Sequence, residues 1–159
     1  MKLKVVDNGK GKAVYTKEFI KNGSKVVEYG AKYHCTMYDA LGTNYSLQIG
    51  MNEFVDINER TLGSFINHSC NPNLMMRYPK DKMDFKGYYF IAARDIEAGE
   101  ELTYDYNTTE YDSEVWGCGF KCLCGSENCI GNFRGFKFLN GTQRNQISHL
   151  LAPYLRRLL

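Results

Sequence analysis

The chain has 159 residues, 43% hydrophobic and 24% charged, with a formal net charge of +2. This is one domain's worth of chain with enough apolar residues for its own core, and the balance excludes a disordered or fibrous protein. No apolar run approaches the ~20 residues of a membrane span, and Met1–Asp7 lacks the apolar stretch of a secretory signal, so the expectation is an intracellular protein, cytoplasmic or nuclear.

The small net charge hides an uneven distribution. Residues 1–25 set seven lysines against Asp7 and Glu18, residues 94–114 set Arg94 against eight carboxylates, and from 115 onward six basic residues face Glu127 alone. The acidic segment is either a solvated turn or a means of attracting a cationic substrate.

The first two-thirds read as short strands punctuated by glycine. Val5-Val6, Ala13-Val14-Tyr15 and Lys25–Tyr29 are rich in β-formers and are bounded by Asn8-Gly9, Asn22-Gly23 and Gly30. Tyr45–Ile49 and Phe54–Asn58 alternate, Tyr88–Ala93 reads as a buried strand, and Leu102–Tyr106 follows a turn at residues 95–101. In the last, Tyr104 and Tyr106 at i and i+2 fall on one strand face, so both hydroxyls are able to enter one cavity. The tail differs. Ile147, Leu150, Leu151, Tyr154, Leu155 and Leu158 form an amphipathic helical stripe interrupted by Pro153, which predicts two short helices over 142–151 and 153–158. The fold class is therefore mainly β with short C-terminal helices.

Six cysteines without a secretory signal point to metal or redox chemistry rather than disulfides. Cys122-Leu123-Cys124 and Cys129 place three soft ligands in eight residues, a pattern that suits tetrahedral zinc. A fourth ligand must come from elsewhere, with Cys70, Cys118, Cys35 and His68 as candidates; Cys35 is the best example of a merely buried thiol. His68 and Cys70 as a base and nucleophile are a poor fit, since residues i and i+2 do not easily form the required pair and no orienting third group is evident.

Asn67-His68-Ser69-Cys70-Asn71-Pro72-Asn73, then Gly99-Glu100-Glu101-Leu102-Thr103-Tyr104-Asp105-Tyr106, then Cys-x-Cys-x4-Cys, resembles in order and spacing the SET-domain protein lysine methyltransferases. The similarity extends upstream through Lys10–Thr16 and Val27–Gly30 and covers roughly residues 3–133. It implies several small sheets with a pseudoknot-like threading of the Asn67 and Tyr106 segments. It also divides the chain into a SET domain (1–115), a post-SET zinc-binding segment (116–136) and a C-terminal helical appendix (137–159).

The resemblance further implies S-adenosylmethionine and zinc as cofactors and a lysine-containing protein or peptide such as a histone as partner, while the weak net charge and short apolar runs imply no direct nucleic-acid or membrane contact. Cofactor contacts carry over to Lys10, Gly11, Lys12, Tyr45, Asn67, His68, Tyr106 and Phe120, with Phe133 and Trp116 also closing over the adenine or the substrate channel. Ala13 stands where the family usually has a second glycine, and Asn132 where it often has an aromatic residue. The resemblance makes Tyr106, Tyr104 and Tyr45 the catalytic set, and it supplies Cys70 as the fourth zinc ligand beside Cys122, Cys124 and Cys129, with Cys118 as a competing fourth ligand.

The implied chemistry is in-line methyl transfer from a sulfonium to a neutral amine. A free lysine at pKa 10.4 is neutral about once in ~2,500 molecules at pH 7, and a tyrosine-lined apolar channel favours that form. No carboxylate is evident as a base. A hydroxyl at Tyr104 leaves less room for further methyls, which implies mono- or dimethylation. The alternative reading is an inactive SET-fold module that binds a peptide without turning it over.

Overall fold

The computed structural model describes residues 2–7, 9, 11–36, 45–56 and 60–159. Strands β1 (Leu3–Asp7) and β2 (Lys12–Thr16) form an antiparallel hairpin in which Val5 faces Val14 and Asp7 faces Lys12. Its inner strand buries Ala13, Val14 and Thr16 and takes backbone bonds from the acidic segment: Leu102 N donates to Val14 O at 2.7 Å and Thr16 N to Glu100 O at 3.1 Å. Chain remote by some 85 residues thus closes the open edge of this hairpin.

Two three-stranded antiparallel sheets follow. One has the order β3 (Lys25–Glu28), β9 (Tyr89–Ala92), β8 (Leu74–Arg77); the other β4 (Tyr33–Thr36), β6 (Glu53–Asp56), β5 (Leu47–Gly50). The run at 88–93, expected as a buried strand, is instead the centre of a one-faced sheet. Phe90 and Ala92 are buried while Tyr89 and Ile91 are only partly so, because an antiparallel sheet needs only one face in the core. The expected 54–58 strand is seen to Asp56, and Ile57 and Asn58 lie outside the described residues. Strands β4 and β8 carry too little alternation to stand out in the sequence.

The junction of the fold is a two-residue parallel pair, β7 (Asn67–His68) with β10 (Thr103–Tyr104). Parallel pairing this short has little stability of its own. Asn73, 2% exposed, supplies the missing support: its amide nitrogen donates to Glu101 O at 2.8 Å and its amide oxygen accepts from Thr103 N at 2.9 Å. Ser69 N adds a bond to Tyr104 O at 3.1 Å. This pairing brings together the two segments whose threading the sequence resemblance implied.

The described residues gather into two apolar clusters. The larger, with Val14, Ile20, Leu47, Val55, Ile66, Leu74, Phe90, Ile96 and Leu102, underlies the sheets. The smaller gathers Phe136, Leu139, Ile147, Leu151, Ala152 and Leu155 around the tail. A final hairpin, β11 (Phe120–Lys121) with β12 (Asn132–Phe133), lies between them in sequence.

The tail forms helix α1 (Gly141–Ile147), a 3-10 turn at Ser148–Leu150 and helix α2 (Pro153–Arg156). The first helix ends earlier than predicted because a residue before proline is pushed out of the helical region; Leu151 and Ala152 are extended and Pro153 restarts the helix at its first position. Asn140 and Gln143 form a reciprocal capping box at the start of α1. The stripe is a packing face as far as Leu155, and Leu158 is exposed. Ala152 N and Tyr154 Oη bond the carbonyls of Thr108 and Thr109 at 2.8 and 2.5 Å, which docks the tail onto the turn after Tyr106. No described helix is long and apolar enough to cross a membrane.

Asn73→Ala removes both side-chain bonds from the backbone at Glu101 and Thr103 and leaves a buried donor and acceptor unpaired. A loss of about 3 kcal/mol of unfolding free energy is expected in urea titration, with Asn73→Asp recovering only the accepting half.

Candidate active site and metal centre

The sulfurs of Cys70, Cys122, Cys124 and Cys129 all lie within 4.8 Å of one another, and Cys70 Sγ is 3.8 Å from Cys122 Sγ. Thiolates about 2.3 Å from a tetrahedral zinc stand roughly 3.8 Å apart, so the four fit zinc in number, chemistry and spacing. Local geometry builds the cluster: Gly125, at φ +71°, turns the chain between ligands, Cys122 N donates to Gly131 O at 2.8 Å, and Asn128 Nδ2 ties the Cys70 carbonyl at 2.8 Å. The other candidates separate from it. Cys118 is exposed, with its thiol 3.5 Å from Trp116 O, and Cys35 is buried in β4. A zinc ion here would be structural, joining the loop after β7 to the 122–129 segment.

His68 is not among the four. Its Nδ1 accepts from Tyr106 N at 3.1 Å, which leaves the proton on Nε2, 3.5 Å from Cys70 Sγ. The side chain is 2% exposed, and burial pushes its pKa down to about 4, so the ring is neutral. It forms a rigid spacer between the thiolate cluster and Tyr106, with ring centroids 5.3 Å from Tyr106 and 5.5 Å from Phe133.

Beside this spacer lies a cavity of about 590 Å³, lined by Tyr29, Tyr45, Tyr104, Tyr106, Phe120 and Phe133 among others. Tyr104 and Tyr106 stand with ring centroids 4.7 Å apart. The expected shared face is realised, although Tyr106 begins a 3-10 turn (Tyr106–Thr108) rather than continuing β10. Tyr106 Oη donates to Ile66 O at 2.9 Å and Tyr29 Oη to Tyr45 O, while the Tyr104 hydroxyl has no hydrogen-bond partner among the described residues. Burial holds the phenols of Tyr29, Tyr104 and Tyr106 well above their usual value, so all three stay protonated at neutral pH and serve as donors, not bases.

The remaining sequence-predicted residues surround this centre. Asn67 Nδ2 bridges Lys12 O at 3.2 Å and Glu101 Oε1 at 3.0 Å, joining the opening motif to the acidic segment. Gly11 has φ +134° with open space at its Cα, and Lys12 lays its ammonium 5.1 Å from the Phe65 ring centroid. Lys10 lies outside the described residues. Ala13 is fully buried without positive φ, so its methyl fills core. Phe120 is 41% exposed against the buried Phe133, with centroids 5.0 Å apart, while Trp116 and Phe54 meet edge to face.

The acidic segment is not one bare acidic surface. Glu100 pairs with Arg94 at 2.7 Å, Glu114 with Arg134 at 2.5 Å and Asp112 with Lys137 at 2.7 Å, and Asp95 caps Asn22 N. One member enters the cavity: Glu110, whose carboxyl is pushed up to about 7 by burial. No carboxylate stands out as a base from the sequence alone. A single helical turn carries Glu110 back beside Tyr106, four residues earlier, with Glu110 N donating to Tyr106 O at 2.9 Å.

Small sheets meeting at a short parallel pair, a thiolate cluster of zinc type and a tyrosine-lined cavity behind it come together in one domain. The SET domain profile matches residues 11–107, more than half of the sequence, and the chain belongs to the SET-domain family. It is 49% identical over 93 residues to the histone-lysine N-methyltransferase ASHR3 of Arabidopsis thaliana, covering 57% of this chain and 16% of that protein. To the H3 lysine-36 specific histone-lysine N-methyltransferase of Candida albicans it is 35% identical over 115 residues, covering 70% of this chain and 12% of that one. Among solved structures it is similar to KRYPTONITE in complex with mCHH DNA, H3(1-15) peptide and SAH, with a TM-score of 0.60 and 28% identity over 82% of this chain and 29% of that chain. The chain spans only a small part of the length of these relatives.

Metal analysis of the purified protein is expected to give one zinc per chain, lost in Cys124→Ser. Chelation should expose residues 116–136 to protease, since structural zinc contributes on the order of 10 kcal/mol of apparent binding energy.

Proposed function

We propose that this chain is a protein-lysine N-methyltransferase that moves a methyl group from S-adenosylmethionine to the side-chain amine of a lysine in a basic protein such as a histone. The observation that carries the reading is a single cavity lined both by the tyrosines at the β7–β10 junction and by the aromatic hairpin next to the thiolate cluster. S-adenosylmethionine supplies an electrophilic sulfonium methyl. Aromatic faces and the Gly11–Lys12 segment are the groups available to hold it, through ring stacking and backbone contact. The relatives' names and the SAH and H3 peptide of the KRYPTONITE complex support the donor and substrate class. A histone substrate implies a nuclear protein.

In this reading Tyr106, fixed by His68 from behind and by Ile66 O at its hydroxyl, presents its ring and oxygen to the reacting groups. Tyr45 contributes to the same wall. The unpartnered hydroxyl of Tyr104 holds the amine or a water and occupies the space that further methyls need, so the products are mono- and dimethyllysine. Residues 1–115 form the reacting domain, 116–136 the zinc-tied flap and 137–159 the brace behind it.

Incubation with labelled S-adenosylmethionine and core histones is expected to label a histone, and Tyr106→Phe to lower incorporation by about a hundredfold. Label transfer to no lysine protein, with donor and peptide still bound, would favour the peptide-binding module. Mass spectrometry of the product should show mono- and dimethyl forms, shifted upward in Tyr104→Phe; abundant trimethyllysine from the unmutated chain overturns the assignment of Tyr104.

A further inference from the structure

Glu110 combines three features. Its carboxyl lies in the cavity that Tyr104 and Tyr106 line. Its position is fixed from both sides, because its N–H donates to Tyr106 O at 2.9 Å and its carbonyl accepts from Phe136 N at 2.8 Å. Finally, only one carboxylate oxygen is engaged: Oε1 accepts from Gln48 N at 3.3 Å and from Thr109 Oγ1 at 3.2 Å, and Oε2 has no hydrogen-bond partner among the described residues. No described lysine or arginine pairs with it. A carboxylate kept in an aromatic cavity without a cation is costly unless something cationic arrives to share the space.

We propose that Glu110 receives the incoming lysine ammonium and accepts its proton. The inference rests on the methyltransferase reading and adds to it the group that produces the reactive amine. The step balances simply: one N–H bond of the ammonium breaks, its electron pair stays on nitrogen as the nucleophilic lone pair, and an O–H bond forms on Glu110. The carboxyl returns the proton to water when product leaves.

In water the step is unfavourable, since a carboxyl near 4.3 and an ammonium near 10.4 are about six pH units apart. Burial moves the two toward each other, because it disfavours the charged form of both. Desolvation already raises the Glu110 carboxyl to about 7, even against the Gln48 N–H and Thr109 hydroxyl that stabilise its ionised form. The titratable groups that face it are Tyr29, Tyr78, Tyr104, Tyr106, Cys118 and Tyr154, whose own ionisation is pushed upward, in part by Glu110. All six stay protonated through neutral pH, so among the groups that face it Glu110 is the one that titrates near 7, while the Asp105 carboxyl before Tyr106, pushed up to about 6 by burial, titrates below it.

The test is the pH dependence of kcat/KM on the lysine protein that the unmutated chain labels, from pH 5.5 to 10. The ionised carboxylate is the active form, so kcat/KM is expected to rise with a midpoint near 7 and then level off. In Glu110→Gln the lysine must enter already neutral; the rise then continues to about pH 10, with at least a hundredfold loss at pH 7 that shrinks to a few-fold at pH 10. A purely structural role would lower activity by one factor at every pH and overturns the proposal. If Glu110→Gln does not fold, as read by circular dichroism, the unmutated profile decides alone: a midpoint near 7 supports the proposal, and an uninterrupted rise to pH 10 overturns it. Absence of any labelling by the unmutated chain overturns the methyltransferase reading itself, whereas labelling without a limb near pH 7 removes only the role of Glu110.

Discussion

The arrangement of this domain depends on a parallel pairing only two residues long. Strands β7 and β10 come from segments separated by 34 residues of intervening chain, and the entropy of bringing them together is not offset by their own few bonds. A buried asparagine makes up the difference by acting as a piece of strand in cross-section, giving one hydrogen bond and receiving another along the backbone at Glu101 and Thr103. Once the pair is set, its flanking residues have no freedom. Cys70 follows β7 by two residues toward the thiolate cluster, and Tyr106 follows β10 by two residues into the cavity.

His68 turns this proximity into mechanical coupling. One imidazole nitrogen holds the Tyr106 backbone and the other faces a cluster thiol, so the histidine makes the position of the tyrosine depend on that of the metal-binding loop. The tail contributes from the opposite direction. Its bonds to Thr108 and Thr109, and the Phe136 bond to Glu110, hold the turn after Tyr106 against a separate apolar cluster. The cavity wall is therefore clamped at both ends by chain from outside the SET match, which ends at residue 107.

Residues of one sequence run meet different electrostatic fates here. Glu100, Asp112 and Glu114 find exposed basic partners, where each pair adds little to stability. Glu101 helps join three segments through Asn67 and Tyr15. Glu110, a few residues away in sequence, loses most of its water and stands among phenols. The same carboxylic acid is a screened surface charge in one place and a group that titrates near neutrality in the other, because solvent access rather than sequence neighbourhood sets the energy of its ionised form.

The sequence by itself determined what depends on near neighbours. Alternation and glycine punctuation gave β1, β2, β3, β5, β6 and β9 nearly in place; three thiols in eight residues announced a metal; the i, i+3, i+4 stripe gave the tail helices, with Pro153 marking the restart. Residue type also fixed the tyrosine pair and, through the order of three motifs, the family. Other features were settled only by tertiary structure. Among these were the use of Asn73 as a substitute strand, the pairing of most of the acidic run, and the placing of Glu110 in the cavity. Each of these turns on the distance between residues far apart in the chain or on how much water reaches a side chain, and neither quantity is written in local sequence.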